Sequence, residues 1–136
     1  MSAHVLYCDG ASRGNPGPSS IGVVLLDPSG GVLRELSGFI GETTNNVAEY
    51  RALEAGLEMA ADLGVERLDV RLDSELLVKQ VNGQYRVKSA HLKPLHRSVL
   101  RHMGRIPEVS VSHVPRARNT RADALANEAL DDLEAP

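Results

Sequence analysis

Residues 4–40 read HVLYCDGASRGNPGPSSIGVVLLDPSGGVLRELSGFI, three strand-like runs separated by two dense turns. His4 to Asp9 alternates until it meets Asp9-Gly10, and Gly14-Asn15-Pro16-Gly17-Pro18 is concentrated turn chemistry. Ile21 to Leu26 is a run of aliphatics that stops at Asp27-Pro28-Ser29-Gly30-Gly31, a hairpin signal. Val32 to Ile40 alternates apolar and polar residues, as a half-exposed third strand does. Strands joined this closely form an antiparallel meander.

After the meander the period changes. Tyr50, Leu53, Leu57, Ala60 and Ala61 recur at helical spacing, and Gly64 is a natural stop. Leu68 to Leu72 (LDVRL) reads as a short strand and Ser74 to Val81 as a short helix, with Gly83 breaking the pattern. Lys93 to Met103 supports a helix with Leu95, Val99 and Met103 on one face; Val109 to Val114 is a last strand and Arg121 to Leu133 a terminal helix. The order β-β-β-α-β-α-α-β-α predicts an α/β fold with a mixed five-stranded sheet, antiparallel at one side and parallel at the other. Right-handed crossovers place helices on both faces. With no repeat, low-complexity stretch or linker, the 136 residues are expected to form one domain, 1–136. In such sheets ligands bind beyond the carboxyl ends of the parallel strands, where Asp9 and Asp73 stand.

Cys8 is the single cysteine and lies in an apolar strand, so it reads as a small buried residue rather than a nucleophile. No charged-then-apolar leader and no apolar run near the roughly 20 residues of a membrane span is visible, and a cytoplasmic monomer is expected. The net charge of -3 hides a segregation: residues 1–75 carry 12 acids and 5 bases, 76–122 carry 1 acid and 10 bases, and 123–136 carry 5 acids and no base. The basic block can form a phosphate-neutralising patch on an otherwise acidic protein, or simply a solvated helix face.

Four acids occupy distinctive contexts, and each has an ordinary alternative. Asp9 precedes Gly10, a common turn pair. Glu49 lies three residues after Asn46, the spacing of a capping box. Asp73 could cap the helix that begins at Ser74. Asp123 follows Thr120 by three, and an acid in a first helical turn suits the helix dipole.

Together, Asp9 to Pro18, the TTNN segment leading to Glu49, Asp73-Ser74, and Asn119 to Ala126 resemble type 1 ribonuclease H, in this order and over residues 4–132. The resemblance implies a mixed five-stranded sheet with flanking helices. It also implies hydrolysis of the RNA strand of an RNA–DNA hybrid, leaving 5′-phosphate and 3′-hydroxyl ends. Two Mg²⁺ ions, with Mn²⁺ as a substitute, would activate water and stabilise the attacking and leaving oxygens. By the same resemblance Asp9 bridges both metals, Asp123 completes the site of the nucleophilic water, and Glu49 and Asp73 hold the metal facing the leaving oxygen. Asn15 and Asn45 match positions that contact the RNA strand, and Thr44 one that binds a DNA-strand phosphate. Double-stranded RNA is a further substrate implied for the archaeal-like branch of the family.

Two departures refine the resemblance. Val81 to Leu95 is too short for the basic extension of many bacterial members, and the chain has no Trp; Arg86, Lys88, Lys93 and Arg97 are the cations available instead. The loop before the last acid reads HVPRARNTRAD, as in the archaeal-like branch, with Arg116 or Arg118 where better-known bacterial members carry a histidine. Of the two, Arg118 is the expected catalytic cation, being nearer in sequence to Asp123, and Arg116 a substrate contact. His113 is expected to be structural, and His4, His91, His96 and His102 have no metal-ligand spacing.

Overall fold

The computed structural model describes residues 2–134; Met1, Ala135 and Pro136 of the expected 1–136 domain lie outside the described residues. Five strands, β1 (His4–Ser12), β2 (Gly17–Leu26), β3 (Val32–Thr43), β4 (Arg67–Leu72) and β5 (Glu108–His113), form one sheet in the order β3-β2-β1-β4-β5. β1, β2 and β3 are antiparallel neighbours, whereas β4 pairs parallel with β1 and β5 parallel with β4. Four α-helices complete the chain: α1 (Asn45–Asp62), α2 (Glu75–Val81), α3 (Lys93–Met103) and α4 (Thr120–Glu134). A 3-10 turn, Arg116–Arg118, joins β5 to α4. The mixed five-stranded sheet expected from the pattern is the sheet observed.

Alternation along the strands assigns the two faces. Leu6 and Cys8 of β1, Val23 and Leu25 of β2, and Leu68, Val70 and Leu72 of β4 are buried in one core with Leu53, Leu57 and Ala60 of α1 and Val99 of α3. α4 crosses the opposite face, chiefly over β1, β2 and β3. Beyond its reach the outward residues of β4 are polar. Arg71 donates to the Tyr7 hydroxyl at 2.8 Å and pairs with Asp69 at 2.9 Å, which satisfies a sheet face left open to water. Among the described residues no helix is long and apolar enough to cross a membrane.

Two glycines set how closely the helices approach. A Cβ on Gly10 would overlap the α1 backbone at Ala48 and Glu49, and one on Gly22 would overlap the Ala122 carbonyl of α4. Gly22 lies directly across from Asp9 in the β1–β2 register. The missing side chains therefore bring the start of α1 against one face of the strand carrying Asp9, and the first turn of α4 against the other.

Candidate active site

The ordinary explanations for Asp9, Glu49 and Asp73 do not survive in the structure, whereas Asp123 does lie in the first turn of α4, where an acid suits the helix dipole. Asp9 is not in a turn, because β1 continues through it to Ser12 while pairing with β2. Thr44, not Asn46, caps α1, its Oγ1 accepting from Val47 N at 3.3 Å. Ser74, not Asp73, caps α2, its Oγ accepting from Leu77 N at 3.3 Å. α4 begins at Thr120, so Thr120 is already helical rather than a cap over Asp123. Neighbouring side chains do the capping, and the carboxylates are left to face one another.

They meet at the carboxyl end of the parallel strands. Asp9 and Asp73 each stand two residues past the last β1–β4 pair, Tyr7↔Arg71, and so at one height. Asp9 is only 6% exposed. Burial, reinforced by Asp73, by a side-chain hydrogen bond with Asp123 and by Glu49, pushes its pKa up to about 8. Glu49 is also raised, first by burial; the Ser74 hydroxyl and Asn45 amide, both hydrogen-bonded to it, and the Arg116 charge pull the other way, while Asp73 adds to the rise. Asn45 Nδ2 donates to Glu49 Oε1 at 2.5 Å. Asp123 accepts from Asn127 Nδ2 at 3.3 Å, one turn on along α4.

Asp73 Oδ2 is buried and has no hydrogen-bond partner, with Arg116 Nε 4.0 Å away as its nearby cation. A space of about 10 Å³, room for about one water-sized particle, lies between Asp9, Glu49, Asp73 and Ser74. Hard carboxylate oxygens, one of them buried and unpartnered, are the donor set that suits Mg²⁺ or Mn²⁺. Among the described residues no three such side chains already close on one point.

The other expected residues gather along one rim. Asn15 Oδ1 accepts from Asn45 N at 3.1 Å, tying the loop after β1 to the start of α1. Asn15, Thr44 and Asn46 line a groove of about 570 Å³ whose far wall is Ser89, His91 and Leu92. The segment between α2 and α3 that carries this wall has no helix of its own, in keeping with a missing basic extension. Arg116 is 82% exposed yet leans toward Asp73, whereas Arg118 is exposed on the same turn with its backbone N–H bonded to Pro115 O at 2.8 Å. His113 ends β5 exposed.

Sequence reasoning assigned no role to Ser74 or Asn127, which contact Glu49 and Asp123. The signals were there: Ser74 follows the acid directly, and Asn127 is four residues on in a helix, on the same face as Asp123. Gln80, a further polar residue of α2, is a core residue that accepts from the Tyr50 hydroxyl at 2.7 Å.

A family model described as reverse transcriptase-like matches residues 7–129. The chain is 48% identical over 126 residues to ribonuclease HI of Halobacterium salinarum, covering 93% of this chain and 63% of that protein. It therefore spans less than two thirds of that relative. It is 37% identical to a ribonuclease H of Pseudomonas putida, covering 96% of this chain and 95% of that one. The crystal structure of the Halobacterium RNase H1 superposes with a TM-score of 0.93 at 47% identity, covering 96% of this chain and 98% of that one. LC11-RNase H1 in complex with RNA/DNA hybrid gives a TM-score of 0.92 at 45% identity, covering 97% of this chain and 99% of that one.

Proposed function

This chain belongs to the type 1 ribonuclease H family, and from that premise we propose that it is a metal-dependent endonuclease hydrolysing the RNA strand of RNA–DNA hybrids. The observation that carries the reading is the gathering of Asp9, Glu49, Asp73 and Asp123 from four elements at one end of the sheet, with Asp9 pushed up to about 8 and Asp73 Oδ2 buried without a partner. Such a cluster destabilises the protein unless cations occupy it, and it stands beside a rim of hydrogen-bonding groups suited to nucleic acid. The hybrid held by LC11-RNase H1, a relative of nearly the same length and shape, supports the same substrate here.

Asp9, Glu49, Asp73 and Asp123 would together hold two divalent cations, Mg²⁺ or Mn²⁺. Bound there, the cations would activate a water and neutralise charge on the attacking and leaving oxygens, giving 5′-phosphate and 3′-hydroxyl ends. The chain's own residues do the rest. Asn45 orients Glu49 through its 2.5 Å bond, and Asn127 orients Asp123. Asn15 and Asn45 present amide groups to the RNA strand, where 2′-hydroxyls distinguish it from DNA. Thr44, at the positive end of α1, meets a phosphate of the DNA strand. Arg118 clamps the phosphate at the cleavage point and Arg116 contacts substrate, as charges that do not titrate in the working range. All these groups come from one chain, so a monomer suffices.

Labelled hybrid, RNA duplex, DNA duplex and single strands, each with Mg²⁺, with Mn²⁺ and with chelator, test the proposal. Internal cuts confined to RNA, requiring metal and leaving 3′-hydroxyl ends, are expected with hybrid; the RNA duplex arm decides whether duplex RNA is a second substrate. Cleavage that persists in chelator, or hybrid left intact in both metals, would sink it.

A further inference from the structure

Asn119 joins the 3-10 turn to α4 and is 1% exposed. Its Nδ2 donates at 3.0 Å to the carbonyl of Cys8, the residue directly ahead of Asp9 and 111 positions earlier in the chain. Its backbone carbonyl accepts from Asp123 N at 3.1 Å, the bond that starts α4, and its own N–H donates to Arg116 O at 2.9 Å. One residue thus ties together the strand of Asp9, the turn of Arg116 and Arg118, and the helix of Asp123. Its Oδ1, however, is buried and meets no donor among the described residues. An unmet buried acceptor costs stability, so what keeps an amide in this place is the bond its Nδ2 makes to the Cys8 carbonyl. Packing alone does not account for an amide here.

We propose that Asn119 is a positioning residue for the divalent-cation site, fixing the separation of Asp9 and Asp123 through its bond to the Cys8 carbonyl. The inference rests on the metal-dependent reading above. Asp9 reaches the site from β1 and Asp123 from the first turn of α4, two elements whose backbones share no hydrogen-bonded ladder. Besides the hydrogen bond between the two carboxyls themselves, the Asn119 amide ties the strand of the one to the helix start of the other. Losing that amide lets the first turn of α4 drift from β1, which opens the spacing that a shared cation needs. Residues that orient ligands in this way typically change metal affinity about 10–100-fold when removed.

Mn²⁺ binding to the protein without nucleic acid, followed by the paramagnetic signal of the free ion well below the melting temperature, separates positioning from folding. Asn119→Ala is compared with the parent and with Leu130→Ala, which opens a cavity under the same helix at a side chain with 0% exposure, seven residues beyond Asp123. Expected is a loss of Mn²⁺ affinity of about 10-fold or more in Asn119→Ala. Leu130→Ala, though destabilised by its cavity, binds Mn²⁺ like the parent. Should Asn119→Ala not fold, Asn119→Ser, too short to reach the Cys8 carbonyl, takes its place with the same expectation. Affinity equal to that of Leu130→Ala overturns the positioning role alone. A parent protein that binds no Mn²⁺ overturns the cation reading of the site and this inference with it.

Discussion

At the scale of single residues, Asp9 is where the site's electrostatics become measurable. Its carboxyl rises from an ordinary 3.8 to about 8, so the folded metal-free chain keeps a proton that the unfolded chain gives up across that interval. Stability therefore falls as pH rises from about 4 to about 8 and levels off above, with Glu49 acting in the same direction. At about 1.4 kcal/mol per pH unit of the interval, the loss is of the order of a few kcal/mol. Chelated protein melted in denaturant at pH 5 and pH 8.5 should show it, Mg²⁺ should reverse it at the higher pH, and Asp9→Asn should flatten it. A parent without the slope would mean that the acids do not repel as their burial implies. Asp73→Asn, isosteric but uncharged, should abolish hydrolysis with folding intact, since it removes one ligand charge; turnover like the parent's in Mg²⁺ would take Asp73 out of the site. The two arginines separate by the same kind of experiment. Arg118→Ala should lower turnover by roughly 10–1000-fold, the scale of losing one charged clamp, and Arg116→Ala should chiefly raise KM. The reverse pattern would transfer the clamp to Arg116, the one that the fold already brings to 4.0 Å from Asp73.

At the scale of elements, closeness of packing is what puts the acids together. Gly22 faces Ala122, so Gly22→Ala forces α4 away from β2 and carries Asp123 with it. Overpacking of this kind costs about 1–3 kcal/mol. Gly38→Ala on β3 would meet only Ile21 Cγ1, at 4.0 Å, and should be near neutral. Denaturant melts of the two variants check the contrast, and equal effects would remove the close approach as the cause. The order and type of the strands and α-helices were legible from apolar period, even in β3, where no residue is fully buried, whereas the 3-10 turn at Arg116–Arg118, with no buried residue, was not. Strand ends were less legible. Asp9-Gly10 reads locally as a strand end, yet β1 runs on to Ser12 because Ser12 pairs with Ser19 across the ladder; likewise β3 reaches Thr43 by pairing with Gly17. Those pairings are made across the ladder, seven residues apart in the one case and 26 in the other, so a strand's own pattern does not encode them. The same holds for the site. The four acids could be read from their contexts, but that Ser74 and Thr44 take over the capping, and that Asn119 reaches Cys8, depends on contacts made only in the folded chain.

At the scale of the whole molecule, the segregated charges acquire a use. Several cations are already engaged by acids: Arg13 with Asp131 and Glu134, Arg105 with Asp62, Arg121 with Glu35, and Lys79 with Glu75. Arg86, Lys88, Lys93 and Arg97 are instead exposed on the segment before α3 and on α3 itself, the segment whose Ser89 and His91 wall the groove facing Thr44. A hybrid lying across Asn15 and Thr44 would bring its DNA-strand phosphates toward these four side chains. With no basic extension to add to them, few phosphates are neutralised and binding should be modest. The slope of log affinity against log salt should be roughly -2 to -4, following about -0.9 for each phosphate contacted in B-form DNA. Arg86→Ala combined with Lys88→Ala should weaken hybrid binding at low salt and make that slope shallower by about 1–2. Titrations in Ca²⁺, which occupies oxygen sites but is a poor stand-in for Mg²⁺ in hydrolysis, would measure affinity across salt with little turnover. Affinity that hardly changes between low and physiological salt would show that the block is a solvated face and that the hybrid is held by the Asn15, Thr44 and Asn45 rim alone.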